Sequence, residues 1–188
     1  MVKNISVIIP SFNEEENIKE LYERIVKVLD EININDYEII FIENGSSDSS
    51  FNILKNINAL NNKVKIVSFS RNFGYQNAIL AGLEYSKKDH ACILDGDLQD
   101  PPEIIKDFIL KADDGFDVVY GVRKKREATF FKKISYKLFY FVYQKLSEIS
   151  VPKEVGEFCL LNRKVINHLI KLREKNLFIR GLRSWVGF

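Results

Sequence analysis

The sequence predicts an α/β fold, a three-layer sandwich around a mainly parallel central sheet. Short β-branched runs alternate with amphipathic helical stretches from Ile5 to Gly121, and strands separated by helices imply right-handed parallel crossovers. Polar, turn-rich loops follow the strands, among them Glu43-Asn44-Gly45-Ser46-Ser47-Asp48 and Asp95-Gly96-Asp97-Leu98-Gln99. At 188 residues the chain suits one domain with a substantial core.

The elements follow in order. Ile5 to Ile9 is a compact β-branched run stopped by Pro10, the signature of a buried strand. Ser11 or Asn13 then suits the cap of a helix whose first turn carries Glu14, Glu15 and Glu16, acids that complement the positive end of a helix dipole. Ile18, Leu21, Tyr22, Ile25, Leu29 and Ile32 recur at helical spacing and mark its buried face. Tyr37 to Ile42 forms the second strand, and a helix runs to about Leu60. Val64 to Phe69 forms the third strand. The next helix carries Ala78, Ala81 and Gly82, small residues that permit close packing on a sheet. Ala91 to Leu94 is the fourth strand. Pro101 and Pro102 open a helix through about Lys111, since proline is tolerated in a first turn. Asp117 to Tyr120 is the fifth strand, closed by Gly121.

Beyond Gly121 the composition changes. Lys or Arg stands at 123–126, 132, 133, 137 and 145 against the single acid Glu127, interleaved with Phe130, Phe131, Tyr136, Phe139, Tyr140, Phe141 and Tyr143. A basic, aromatic-rich amphipathic helix suits an anionic membrane surface or a membrane partner; the alternative is a helix that packs its aromatics on the sheet. Nucleic acid is not expected, because the basic patch is local and net charge is only +2. No apolar run approaches the ~18 residues needed to span a bilayer. Cys92 and Cys159 have no metal or disulfide spacing, so a reduced, cytoplasmic setting is expected.

If the sheet is parallel, the loops after the first, second and fourth strands open on one edge, where α/β sheets bind ligands. Asp95 and Asp97, with no His or Cys nearby, suit a hard cation, Mg²⁺ or Mn²⁺, that shares its coordination with phosphate. A diphosphate with its metal fits such a crevice, and Arg71 and Arg123 follow strands on the same edge as further phosphate contacts. There is no Gly-x-Gly-x-x-Gly after the first strand and no Gly-Lys-Ser/Thr loop, which argues against dinucleotide and P-loop chemistry. His90 and His168, the only histidines, suggest no Ser-His-Asp arrangement.

Val7-Ile8-Ile9-Pro10-Ser11-Phe12-Asn13-Glu14, the loop from Glu43 to Asp48, Ser70-Arg71-Asn72-Phe73-Gly74, Asp95-Gly96-Asp97-Leu98-Gln99-Asp100-Pro101-Pro102 and Gly121-Val122-Arg123 occur in that order. Gly156-Glu157-Phe158-Cys159-Leu160-Leu161-Asn162-Arg163 and Ser184-Trp185-Val186-Gly187-Phe188 follow them. In this the chain resembles family 2 glycosyltransferases, most of all the branch of dolichyl-phosphate mannose synthases and bactoprenol glucosyltransferases. The resemblance implies a Rossmann-like GT-A fold over a single domain, 1–188, with a nucleotide-sugar part at about 1–121 and an acceptor- and membrane-facing part at about 122–188. It implies a UDP- or GDP-linked sugar donor, a divalent metal, inversion at the anomeric carbon, a polyprenyl phosphate acceptor, and a place at the inner face of the membrane. The alternatives are a soluble transferase of the same fold acting on a glycan hydroxyl and a non-catalytic nucleotide-sugar-binding remnant or partner subunit.

By the same resemblance Pro10, Ser11, Asn13 and Glu14 belong to the first nucleotide-contacting loop. Glu43 and Asn44, with Ser46 behind them, replace the usual Asp-Asp that reads base and ribose. Asp95, Gly96 and Asp97 match the Asp-x-Asp motif, with Asp97 the expected metal ligand, Gln99 beside it, and Asp95 toward the ribose or the metal. Arg123 matches a phosphate-holding arginine. Glu157 stands in place of the Asp of Gly-Asp-Phe, and three roles stay open for it: orienting the acceptor, contacting the donor sugar, or acting as a base. Cys159 replaces a frequent arginine. The likeness breaks off at Phe188, where relatives are expected to continue.

Overall fold

The computed structural model describes residues 1–122, 155–172, 174 and 177–188. Five strands and four α-helices follow the predicted order: β1 (Asn4–Ser11), α1 (Ile18–Glu31), β2 (Asp36–Glu43), α2 (Ser50–Leu60), β3 (Val64–Ser68), α3 (Tyr75–Tyr85), β4 (His90–Ile93), a 3₁₀ turn (Pro102–Ile104) leading into α4 (Ile105–Asp113), and β5 (Val118–Val122). Three further elements were not anticipated: β6 (Val155–Asn162), α5 (Arg163–Leu169) and α6 (Ile179–Trp185). The basic aromatic stretch, including Arg123, lies outside the described residues.

The strands form one six-stranded sheet in the order β3-β2-β1-β4-β6-β5. Strands β1 to β4 pair parallel, and β6 runs antiparallel to both β4 and β5. The sheet is therefore mainly parallel, with one reversed strand inserted between β4 and β5. Strand β5 continues through Gly121 to Val122, with a break in register between Tyr120 and Val122.

Alternate residues of each strand feed two separate cores. Val7, Ile9, Phe41 and Leu160 pack with α1, α2 and α4, whereas Ile8, Ile40, Ile42 and Leu161 pack with α3, α5 and α6. Burial on both faces explains why these strands read as continuous apolar runs. Helix α3 sits so close to β1 that a Cβ on Gly82 would lie 2.2 Å from Ile8 Cγ2.

Helix α1 starts later than the capping pattern predicts. Glu14 to Asn17 form a turn, with Asn17 N and Ile18 N both donating to the Glu14 carbonyl, and Glu20 is the acid of the first helical turn. The cause is competition from the neighbouring loop. Glu14 N donates to Ser50 Oγ and Glu15 N to Asp48 Oδ2, which holds this segment against the start of α2.

Candidate functional site

The parallel pairing of β1, β2 and β4 brings their C-terminal loops to one edge, and β3 adds its own. An open cleft of about 290 Å³ lies there. Pro10, Ser11 and Glu14 line it from the β1 loop, and Asn44 lines it from the β2 loop. Asp95, Gly96 and Asp97 close it from the β4 loop. Phe12, Asn72 and Tyr75, which sequence reasoning did not single out, complete the wall. Gly96 is the contact between two of these loops, since a Cβ there would lie 3.1 Å from the Pro10 carbonyl oxygen.

Several predicted residues build the cleft from behind. Glu43 is 3% exposed; its Oε1 accepts from Ser46 N at 2.5 Å and its Oε2 from Ser68 Oγ at 3.0 Å. Both carboxylate oxygens are thus engaged by protein donors, one in the β2 loop and one on β3. Asn44 is also buried, donating to Asn72 Oδ1 at 3.2 Å and accepting from Phe73 N at 2.9 Å. Asn13 takes a left-handed φ of 56°. Its amide donates to Ser46 Oγ at 3.0 Å and its Oδ1 accepts from Ser47 N at 2.9 Å. Asn13 and Ser46 therefore clip the β1 loop to the β2 loop.

Gly45 makes the third junction. It has φ +74°, and a Cβ would lie 2.5 Å from the Arg71 carbonyl carbon. Only glycine lets the β2 loop approach the β3 loop backbone this closely. Arg71 itself is exposed, with its guanidinium 4.2 Å from the Phe73 ring, outside the cleft lining. Gln99 is exposed as well; its amide donates to Asp97 Oδ1 at 3.1 Å, fixing that carboxylate within the turn. Leu98 between them has φ +60°, an uncommon conformation for a leucine.

Two side chains at the start of α3 connect the β4 carboxylates to β6. The Tyr75 hydroxyl donates to Asp95 Oδ1. Burial, then the Asp95 charge, push its ionisation well above the ordinary phenol range, so it stays a donor. Gln76 donates to Glu157 Oε1 at 3.4 Å and accepts from Ile179 N at 2.7 Å. Strand β6 pairs Cys159 with Ile93; continuing that antiparallel register two residues sets Glu157 level with Asp95. The Glu157 charge also contributes to the Tyr75 shift. Glu157 thus belongs to the same edge although β6 was not foreseen. The signal for Tyr75 and Gln76 was their position directly after Ser70-Arg71-Asn72-Phe73-Gly74.

The donor set suits a hard divalent cation. Asp95 and Asp97 face one cleft with Glu14, and no cluster of three or more His, Cys, Asp or Glu forms a complete cage among the described residues. One or two carboxylates completed by water and phosphate is the usual arrangement for Mg²⁺ and for related oxygen-liganded ions. No helix among the described residues is long and apolar enough to cross a membrane.

A profile described as "Glycosyl transferase family 2" matches residues 6–170. The uncharacterized glycosyltransferase YkcC of Bacillus subtilis is 45% identical over 97% of this chain and 57% of its own length. The bactoprenol glucosyl transferase of Shigella phage SfV is 37% identical over 97% of this chain and 60% of its own. The chain therefore spans less than two thirds of these curated relatives. Among solved structures, glucosyl-3-phosphoglycerate synthase of Mycobacterium tuberculosis, in complex with Mn²⁺, uridine-diphosphate and phosphoglyceric acid, superposes with a TM-score of 0.62. That match is 19% identical, over 89% of this chain and 58% of that one. At this identity the likeness is one of fold, the mixed α/β sandwich of GT-A type.

Proposed function

The chain belongs to glycosyl transferase family 2, and from that premise we propose that it moves a sugar from a nucleotide-diphosphate donor to a polyprenyl phosphate at a membrane surface. The observation that carries the reading is the convergence of Asp95 and Asp97 with the β1 and β2 loops on one cleft. A nucleoside diphosphate needs these features together: polar loops for the nucleoside and carboxylates for a metal on the phosphates. The bactoprenol substrate named for the phage relative supports the acceptor class. Mn²⁺ and uridine-diphosphate in the mycobacterial complex support the donor and the metal.

In this reading Ser11, Asn44 and Asn72 offer polar atoms to the nucleoside, and Asp97 with Asp95 holds Mg²⁺ or Mn²⁺. Bound there, the ion neutralises charge developing on the leaving diphosphate. Tyr75 fixes the rotamer of Asp95, and the Gln99 amide fixes that of Asp97. An acceptor phosphate oxygen forms its bond to the anomeric carbon as the bond from that carbon to the donor's β-phosphate oxygen breaks. Attack from the opposite face inverts the centre. The nucleophile is already ionised, so no strong base is required, and placement and electrostatics carry the rate. Glu157 then serves to orient the acceptor or the sugar.

The test uses the full chain with radiolabelled UDP-glucose or GDP-mannose, Mn²⁺, and liposomes containing undecaprenyl phosphate. Label passing into the lipid extract in wild type and not in Asp97→Ala supports the reading. Failure to bind UDP or GDP with Mn²⁺, together with no transfer, overturns it. Flotation with anionic vesicles checks the membrane assignment separately.

A further inference from the structure

A second polar cluster lies one strand beyond Asp95, where β6 meets α6. Arg183 is only 4% exposed. Its Nη2 reaches the Gly156 carbonyl at 3.4 Å, and its guanidinium carbon lies 5.3 Å from the Tyr120 ring centre. Its Nη1 is buried without a hydrogen-bond partner. Arg180, three residues earlier, donates from Nη1 to the Val155 carbonyl at 2.7 Å, while its buried Nε has no partner. Oε2 of Glu157 is in the same condition. Among the described residues no ion pair joins either arginine to a carboxylate.

Such a concentration of unsatisfied groups is unusual. Buried polar atoms nearly always find partners, and a buried cation without a counter-ion is among the most costly arrangements in a protein. Three such atoms, two on arginines that contact Val155 and Gly156 and one on the next residue of that strand, Glu157, point to a missing partner rather than to accidental strain. Two guanidinium groups outweigh the one carboxylate, so that partner is an anion. Guanidinium donors match the spacing of phosphate oxygens.

We infer that Arg183 and Arg180 form a phosphate subsite beside Glu157 and that it takes the phosphate of the acceptor rather than the diphosphate of the donor. The position decides between the two sources. The donor phosphates belong with Asp95 and Asp97 at the end of β4, whereas the arginines contact Val155 and Gly156 at the start of the neighbouring strand. Glu157, level with Asp95, stands between the two. This assignment rests on the transferase reading above.

Binding to the full chain is measured with four probes: farnesyl phosphate and farnesol in detergent micelles, and UDP and GDP with Mn²⁺. Wild type is expected to prefer farnesyl phosphate to farnesol. Arg183→Gln is expected to weaken farnesyl phosphate at least tenfold with nucleotide affinity changed less than twofold, and Arg180→Gln to do the same more mildly. Unchanged farnesyl phosphate binding in both variants overturns the subsite. Equal losses of nucleotide and farnesyl phosphate reassign the arginines to the donor and also overturn it. If Arg183→Gln lowers the melting temperature enough to confuse the comparison, Arg183→Lys, which keeps the charge but loses the fork, and Arg180→Gln decide the matter. A wild type that binds neither nucleotide but discriminates farnesyl phosphate from farnesol through Arg183 removes the donor reading and leaves the phosphate subsite standing.

Discussion

On the β1–β2–β3 side of the ligand edge, each loop is tied to its neighbour before any ligand arrives. Asn13 bonds to Ser46 and Ser47, Glu43 to Ser46 and Ser68, and Asn44 to Asn72 and Phe73. On the β6–α6 side, Glu157, Arg180 and Arg183 each keep a buried polar atom without a partner. The same sheet edge therefore carries a half whose loops are tied to one another, with Ser11 Oγ left unpartnered in the cleft wall, and a half where three charged side chains each keep an unpartnered atom. The contrast teaches that exposure of polar residues at a strand end is a poor guide to ligand contact. Glu43 is an acid at a strand end whose carboxylate oxygens are taken up by Ser46 and Ser68, whereas Arg180 and Arg183, which the sequence pattern did not single out, each keep an unpartnered buried atom.

The largest effect is expected where the two halves meet the chemistry. Asp97→Asn keeps the shape of the turn but removes the charge that the proposed diphosphate site calls for. Transfer from a nucleotide sugar should fall on the order of a thousandfold, ~4 kcal/mol of transition-state stabilisation, while urea unfolding shows little change. A variant as active as wild type would remove Asp97 from the metal site and break the division of the edge into donor and acceptor halves.

Next in size is Gly45→Ala, aimed at the tied half alone. The new Cβ would meet the Arg71 backbone at 2.5 Å, and the residue would have to hold φ +74°. Strain and displacement together should cost about 2–4 kcal/mol in unfolding free energy. Nucleotide affinity should fall with it, because the β2 and β3 loops move apart, yet farnesyl phosphate binding should persist. Loss of both ligands in a folded variant would mean that the two halves are not separable.

Much of the tied half was legible in the sequence, and the reason is local. Each of β1, β2 and β4 is a continuous apolar run ending in a polar turn, so the strand and its loop declare themselves within about ten residues. Strand β6 did not, although Phe158-Cys159-Leu160-Leu161 is as apolar as Ala91-Cys92-Ile93-Leu94. Its pairing is antiparallel and long-range, reaching back to His90–Ile93 and Val118–Val122. Side-chain direction was equally hidden. Nothing in Glu43-Asn44 distinguishes a carboxylate facing a ribose from one facing Ser68, and Tyr75 reads as an ordinary aromatic at a helix start until its hydroxyl is found on Asp95.

Tyr75→Phe sharpens the boundary between the halves. It removes the hydroxyl on Asp95 while leaving the ring, and the loss of one charge-assisted hydrogen bond is worth about 1.5–3 kcal/mol. The expected result is a fall in transfer rate of roughly ten- to hundredfold, the range that this energy covers at about 1.4 kcal/mol per decade. Metal affinity should weaken in parallel, seen as a higher Mn²⁺ concentration for half-maximal activity. An unchanged Mn²⁺ requirement would make Tyr75 a packing residue only.

The smallest effect belongs to the opposite edge of the sheet, where a buried acid is fully satisfied and serves as the control for Arg183. Glu38 is buried on β2, accepts from Ser6 Oγ at 2.6 Å and Lys87 N at 2.7 Å, and pairs with Lys65. Burial alone would raise its ionisation, but the Lys65 ammonium and the Ser6 and Lys87 donors together hold it below the ordinary carboxylate range. A carboxyl lowered in the folded state adds stability that is fully present above its unfolded value, ~4.3, and disappears as pH falls through the lower folded value. Unfolding free energy measured in urea should therefore drop between pH 6 and pH 3, with Glu38 contributing on the order of 1 kcal/mol. The Glu38→Gln variant should be less stable than wild type at pH 7, and the gap should narrow toward pH 3 as wild-type Glu38 becomes neutral. A gap that stays constant with pH would mean that the Lys65 pair contributes nothing. The uncompensated arginines of the β6–α6 corner would then be unusual only in lacking partners, not in the energy those partners supply.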